Sequence, residues 1–164
     1  MTMIALVLTL LAGVSFPSAS ETAWMSPAAF HLEIGMPRAE VESIIEKSGW
    51  ESAPGKYSRQ LLIHYTEKKT VTLMFADNEL QSVRFELVDF IPSVRTAHTE
   101  HLETLKAAKG YDGEAKIDGV FMFDREVPNV MVVVSTKHED SFGRQGLGFL
   151  SVRYFDPAAD RLVP

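Results

Sequence analysis

The chain says nearly the same thing twice, and that repeat narrows its fold more than any other feature. Helical periodicity ends at Gly49, Trp50-Glu51 follows, and three strand-like runs close on Ser82-Val83-Arg84-Phe85. The order returns at Gly110, with Tyr111-Asp112 and three runs closing on Ser151-Val152-Arg153-Tyr154. A self-similar unit of this length is a supersecondary module that needs its copy to bury its apolar side.

Within the first copy, Val41, Ile44, Ile45 and Ser48 recur at helical spacing and predict a helix over 37–48. Pro37 suits its first position, where the missing N–H costs nothing. Gly49 suits the left-handed residue that ends it. Strands are expected over 61–65, 70–75 and 80–88, with a turn at Ala76-Asp77-Asn78-Glu79. In the third strand Val83, Phe85 and Leu87 alternate with Ser82, Arg84 and Glu86, the pattern of a half-buried antiparallel strand.

The second copy opens at Pro92-Ser93, with a helix to about Lys109 ended by Gly110. Val94, Ala97, Leu102, Leu105 and Ala108 share its buried side; Arg95, Thr99, Glu103 and Lys106 face water. Its strands are expected over 120–123, 130–135 and 149–155. The helix-ending glycines are 61 residues apart (49 to 110), but the third strands are 69 apart (83 to 152). The copies diverge at a longer hairpin, 136–148, in the second.

One helix on a three-stranded meander leaves open edges and a thin core. Two such units joined solve both problems. The expected fold class is α+β: two helix-plus-three-strand repeats, about 35–90 and 91–157, form one mostly antiparallel six-stranded sheet with helices packed on one face. At 164 residues and 46% hydrophobic, residues 21–164 fit a single domain.

Residues 3–14 form an apolar or neutral run too short for a comfortable membrane span, followed by Pro17 and Ser18-Ala19-Ser20. They read as a secretory signal over 1–20, with Glu21 as the mature start and a periplasmic or secreted product. The first cation is Arg38, so the basic region that ordinarily opens a signal is missing and a start codon further upstream stays open. A buried N-terminal strand or helix is the alternative. The absence of cysteine excludes disulfides, thiolate metal sites and a lipidated N-terminal cysteine. A net charge of −6 without a basic stripe disfavours a nucleic-acid partner.

Phe30-x-x-x-Ile34-Gly35-Met36-Pro37-Arg38-Ala39-Glu40-Val41, followed by Gly49, resembles the SmpA/OmlA (BamE-like) family. Val71-x-Leu73-x-Phe75-Ala76-Asp77-Asn78-Glu79-Leu80-x-Ser82-Val83 looks like that family's strand–turn–strand. The doubled unit looks like the β-lactamase-inhibitor-protein fold. The resemblance covers mainly residues 30–88. It implies a small exported bacterial protein that binds other proteins and has no catalytic activity. The lipidated cysteine of the assembly lipoproteins and the disulfides of the inhibitors are both missing, so it implies neither the assembly complex nor a β-lactamase target.

Residue chemistry adds no reaction. His98 and His101 share a helical face and lie in its apolar stripe beside Val94 and Leu105. With a third ligand they could hold a metal or line a small-molecule site between helix and sheet; two partly buried structural histidines are the favoured reading. His64 and His138 are isolated in sequence, and no serine elbow or phosphate loop is present. Gly143-x-x-Gly146-x-Gly148 leads into a strand, so it reads as a hairpin tip rather than a nucleotide loop. No cofactor is expected.

Two features point to a protein contact. The long hairpin carries His138, Asp140, Phe142 and Arg144, a mixture of charge and aromatic suited to an interface; a tolerated surface insertion is an equal reading. The outward side of the second copy, Met131, Val133, Ser151, Arg153 and Phe155, is more apolar than Thr70, Thr72, Met74, Ser82, Arg84 and Glu86 of the first. Met131, Val133, Arg153, Phe155 and the hairpin are therefore the expected partner-binding surface, for another envelope or periplasmic protein. The alternative is that residues 21–34, with Trp24 and Phe30, fold across this face and cover it.

Overall fold

A computed structural model describes residues 22–107, 115–116, 119–124, 130–138 and 146–157. Helices α1 (Arg38–Ser48) and α2 (Ile91–Ala107) pack on one face of a single antiparallel sheet. The strands are β1 (Ser52–Pro54), β2 (Gln60–Thr66), β3 (Lys69–Ala76), β4 (Glu79–Phe90), β5 (Ala115–Lys116), β6 (Gly119–Asp124), β7 (Val130–His138) and β8 (Leu147–Phe155). Their order is β1-β2-β3-β4-β8-β7-β6-β5. The six expected strands are β2, β3, β4, β6, β7 and β8; two very short strands, β1 and β5, trim the edges. The α+β class and the open antiparallel sheet are as the sequence predicts.

Each copy is a meander, and the two meet through their third strands, β4 and β8. The inward sides of that ladder carry Val83, Phe85, Leu87, Leu150 and Val152, all buried. Val41 and Ile45 of α1 and Val94 and Ala97 of α2 close over them in one apolar cluster. Among the described residues no helix is long and apolar enough to cross a membrane.

Several expectations are corrected in detail. Pro37 caps α1 rather than starting it, with ψ 138° outside the helical range, and forms an isolated bridge to Glu79. Ser48, expected on the buried side of this helix, is exposed, and α1 buries Val41 and Ile45 instead. Gly49 does end α1, at φ 69°, its N–H donating to the Glu46 carbonyl. The end of α2 at Gly110 lies outside the described residues. β7 runs on to His138 and β8 begins at Leu147, so both ends of the expected long hairpin are ladder, with His138 opposite Gly148.

The lead-in packs on the helix side of the sheet, not on the outer face. Trp24 and Phe30 place their rings 5.8 and 5.6 Å from that of Phe85, an inward residue. The Tyr154 hydroxyl donates to the Met25 carbonyl at 3.1 Å. The physical reason is space: two helices are too narrow to cover six strands, and Trp24, Met25, Phe30 and Leu32 fill what they leave. The chain then reaches α1 by pairing with the β3–β4 turn, Gly35 N–H to Leu80 O and Leu80 N–H to Met36 O. Asp77 and Asn78 make that turn at φ 51° and 63°, a conformation these two residue types tolerate.

Candidate functional site

The outer face of the sheet is built in rows across the β4–β8 ladder. Arg84 is opposite Arg153, Glu86 opposite Ser151, Val88 opposite Phe149, and Phe90 opposite Leu147. The Arg row continues to Thr72 on β3 and Val133 on β7. Strand pleating sends every second residue outward, so all these positions share one face.

The two arginines lean in different directions. The Arg84 guanidinium lies 3.9 Å from a Glu86 carboxylate oxygen, too long for a hydrogen bond. The Arg153 guanidinium stacks 4.5 Å over the Phe155 ring, and its Nε donates to the Ser82 hydroxyl at 3.4 Å. Burial pushes the Glu86 carboxyl above its ordinary range, and the Arg84 charge offsets part of that. Ser82 and Ser151, on the same face, are buried.

Of the expected surface, Val133, Arg153 and Phe155 fall on the outer face in adjacent rows, and Met131 pairs with Phe155 in register. Phe155 is less open than expected, at 7% exposure, because the Arg153 guanidinium lies over its ring. His138 is a β7 residue at the end of the ladder. Asp140, Phe142 and Arg144 lie outside the described residues.

Sequence reasoning missed the apolar end of this face. Val88, Phe90 and Leu147 are 40%, 46% and 56% exposed, and half-buried Phe149 completes the cluster. Lys68 borders it, ion-paired to Asp89 at 2.9 Å with its ammonium 6.0 Å from the Phe90 ring. That lysine and the Phe90 amide hold the Asp89 carboxyl below its ordinary range. The signal was available: the alternation of β4 continues past Glu86 to Val88 and Phe90. The sequence reading ended the strand at 88 and left Leu147 in the hairpin.

The histidines lie on the other side of the sheet. His101 is buried at 3% exposure, and its Nε2 has no hydrogen-bond partner. Burial, and then the charge of His98, drive its pKa down to about 4, so the ring is neutral at physiological pH. His98 is half-buried one turn earlier. Among the described residues no group of three His, Asp or Glu side chains is placed to hold a metal ion.

The outer face combines planar bidentate donors, half-buried aliphatic surface and exposed aromatic surface on rigid strands, a combination suited to gripping another chain. Comparisons with protein-family models, curated proteins and solved structures give no match.

Proposed function

We propose that the protein is an exported, non-catalytic binding module of a bacterial periplasm or envelope, and that its outer sheet face holds another protein. One observation carries this reading. The two central strands turn Val88, Phe90 and Leu147 to solvent on the same face as the Arg84–Arg153 row, while the lead-in that could have covered them packs on the opposite face. Exposed apolar surface next to aromatic and arginine side chains is what an interface core requires. The resemblance of residues 30–88 to SmpA/OmlA proteins and the signal-like start belong with the same reading.

A photo-crosslinking residue at Val133, introduced into the protein in its producing cells, tests it. The expected result is one dominant protein adduct from Val133 and none from exposed Glu42 on α1. Adducts of equal yield from both positions, or none from Val133, would overturn the reading. Export is checked separately by the mature N-terminus, expected at Glu21.

The rival is a metal or small-molecule site using His98 and His101. It draws on the buried Nε2 of His101, which lacks a partner. A stoichiometric metal lost in the H98Q/H101Q protein would establish it in place of the first reading.

A further inference from the structure

The outer face has a polarity along its strands, and that polarity says what should lie on it. Rows two residues apart along a strand are about 6.6 Å apart. The Val88–Phe149 row therefore lies about 13 Å from the Arg84–Arg153 row, and the Phe90–Leu147 row about 20 Å. Like charges placed directly opposite each other in a ladder oppose folding. This chain keeps such a pair at the centre of its exposed face although its net charge is −6 and acids are plentiful. Arg84 and Arg153 root two guanidiniums at opposed positions of one face, and cationic groups so placed attract carboxylates over short range.

We propose that the occupant of this face is an acidic protein segment that sets a carboxylate against Arg84 and Arg153 and an aromatic or aliphatic side chain against Val88, Phe90, Leu147 and Phe149. The proposal rests on the protein-binding reading and specifies the partner's chemistry. An extended segment meets both requirements with about four to six residues between acid and anchor; a helix needs about nine to thirteen. Glu86 lies between the two subsites, with its carboxylate 3.9 Å from the Arg84 guanidinium. The net charge of −6 disfavours nucleic acid and anionic lipid surfaces, which present dense negative charge to the whole molecule rather than to one spot.

The test uses synthetic extended peptides with two adjacent glutamates and a phenylalanine about five residues on. Counterparts carry glutamine or lysine for the glutamates, or alanine for the phenylalanine. Binding is followed by fluorescence anisotropy on the whole protein. The glutamate peptide should bind about tenfold tighter than the glutamine peptide, and the lysine peptide weakest. The advantage should shrink between about 20 mM and 0.5 M salt and vanish in the R84Q/R153Q protein. Replacing the phenylalanine should weaken the glutamate and glutamine peptides alike. Unfolding midpoints of the variants separate lost binding from lost fold.

Equal binding of glutamate and glutamine peptides, or an acid preference surviving in R84Q/R153Q, would overturn the proposal. So would phosphatidylglycerol vesicles that displace the peptide and lose their own binding in that double variant. If the acid preference is missing while Val133 still crosslinks to a protein, the partner's chemistry is wrong and the binding face stands. If Val133 yields no adduct, the binding face itself falls.

Discussion

Arg84 and Arg153 stand directly opposite each other across the β4–β8 ladder, and they are the same residue of the two repeats. In an antiparallel pair of equivalent strands, the residue that faces its own counterpart marks the axis relating them. The repeat is therefore a pseudo-twofold whose axis passes between these two residues. The symmetry breaks two residues away, where Glu86 in one copy corresponds to Phe155 in the other. Arg84 accordingly leans towards a carboxylate and Arg153 onto a ring.

The opposition of the two cations should be measurable by itself. A double-mutant cycle of Arg84→Gln and Arg153→Gln removes the neighbours' contributions and leaves the pair term. A repulsive coupling of about 0.2–1 kcal/mol is expected from urea unfolding at low ionic strength. It should fall towards zero at about 0.5 M salt, where screening acts over only a few ångströms. A zero or attractive coupling at low salt would show that the register pair carries no electrostatic strain.

The sequence made the core legible because periodicity reports burial. Val83, Phe85 and Val152 alternate as a half-buried strand must, and Val94 and Ala97 recur as a packed helix must. The pairing of β4 with β8 was less legible, since alternation gives a strand's faces but not its neighbour. That pairing creates the Arg84–Arg153 row, so the centre of the candidate face could be seen only as two separate arginines. The lead-in was ambiguous for a related reason: Trp24 and Phe30 announce burial without saying against which face. Its position follows from the volume the two helices leave unfilled, a property of the assembled sheet.

Glu86 gives the outer face a pH signature. Burial raises its carboxyl pKa, so the folded chain holds a proton there at pH values where the unfolded chain has already lost it. Its contribution to stability is thus fully present below the unfolded value, about 4.5, and lost as the pH rises through the raised folded value. Relative to Glu86→Gln, the wild type should be most favoured near pH 4 and progressively less so towards pH 7. Urea midpoints of both proteins across that range check it. A wild-type advantage that grows with pH would mean that the Arg84 attraction outweighs desolvation.

His101 acts in the opposite sense. Its folded pKa of about 4 lies below the ordinary 6.5, so between those values the unfolded chain takes up a proton that the folded chain refuses. Stability should fall as the pH drops through 6.5, with the loss complete below about 4. The full effect is on the order of 3 kcal/mol. His101→Leu has similar bulk, no titrating ring and no unpartnered Nε2. It should match or exceed the wild type at pH 7 and lose less stability on acidification. Parallel pH profiles for the two proteins would show that His101 does not govern acid sensitivity.

Gly148 fixes how closely α2 approaches the sheet at the end where the exposed apolar cluster begins. A Cβ built there would lie 3.0–3.2 Å from three side-chain carbons of Val94, which is fully buried and has nowhere to retreat. Gly148→Ala therefore sets two effects against each other. Restricting the unfolded chain favours folding by about 0.4–1 kcal/mol, while overpacking opposes it by about 1–3 kcal/mol. Crowding should win, for a net loss of about 1 kcal/mol. Val94→Ala costs stability alone but makes room for the new methyl group, so in the double variant Gly148→Ala should become neutral or stabilising. A Gly148→Ala protein as stable as the wild type, or a double variant with strictly additive losses, would show that α2 is not held against this glycine. In either case its seat over β8 would depend on Ala97 and His101 further along the helix.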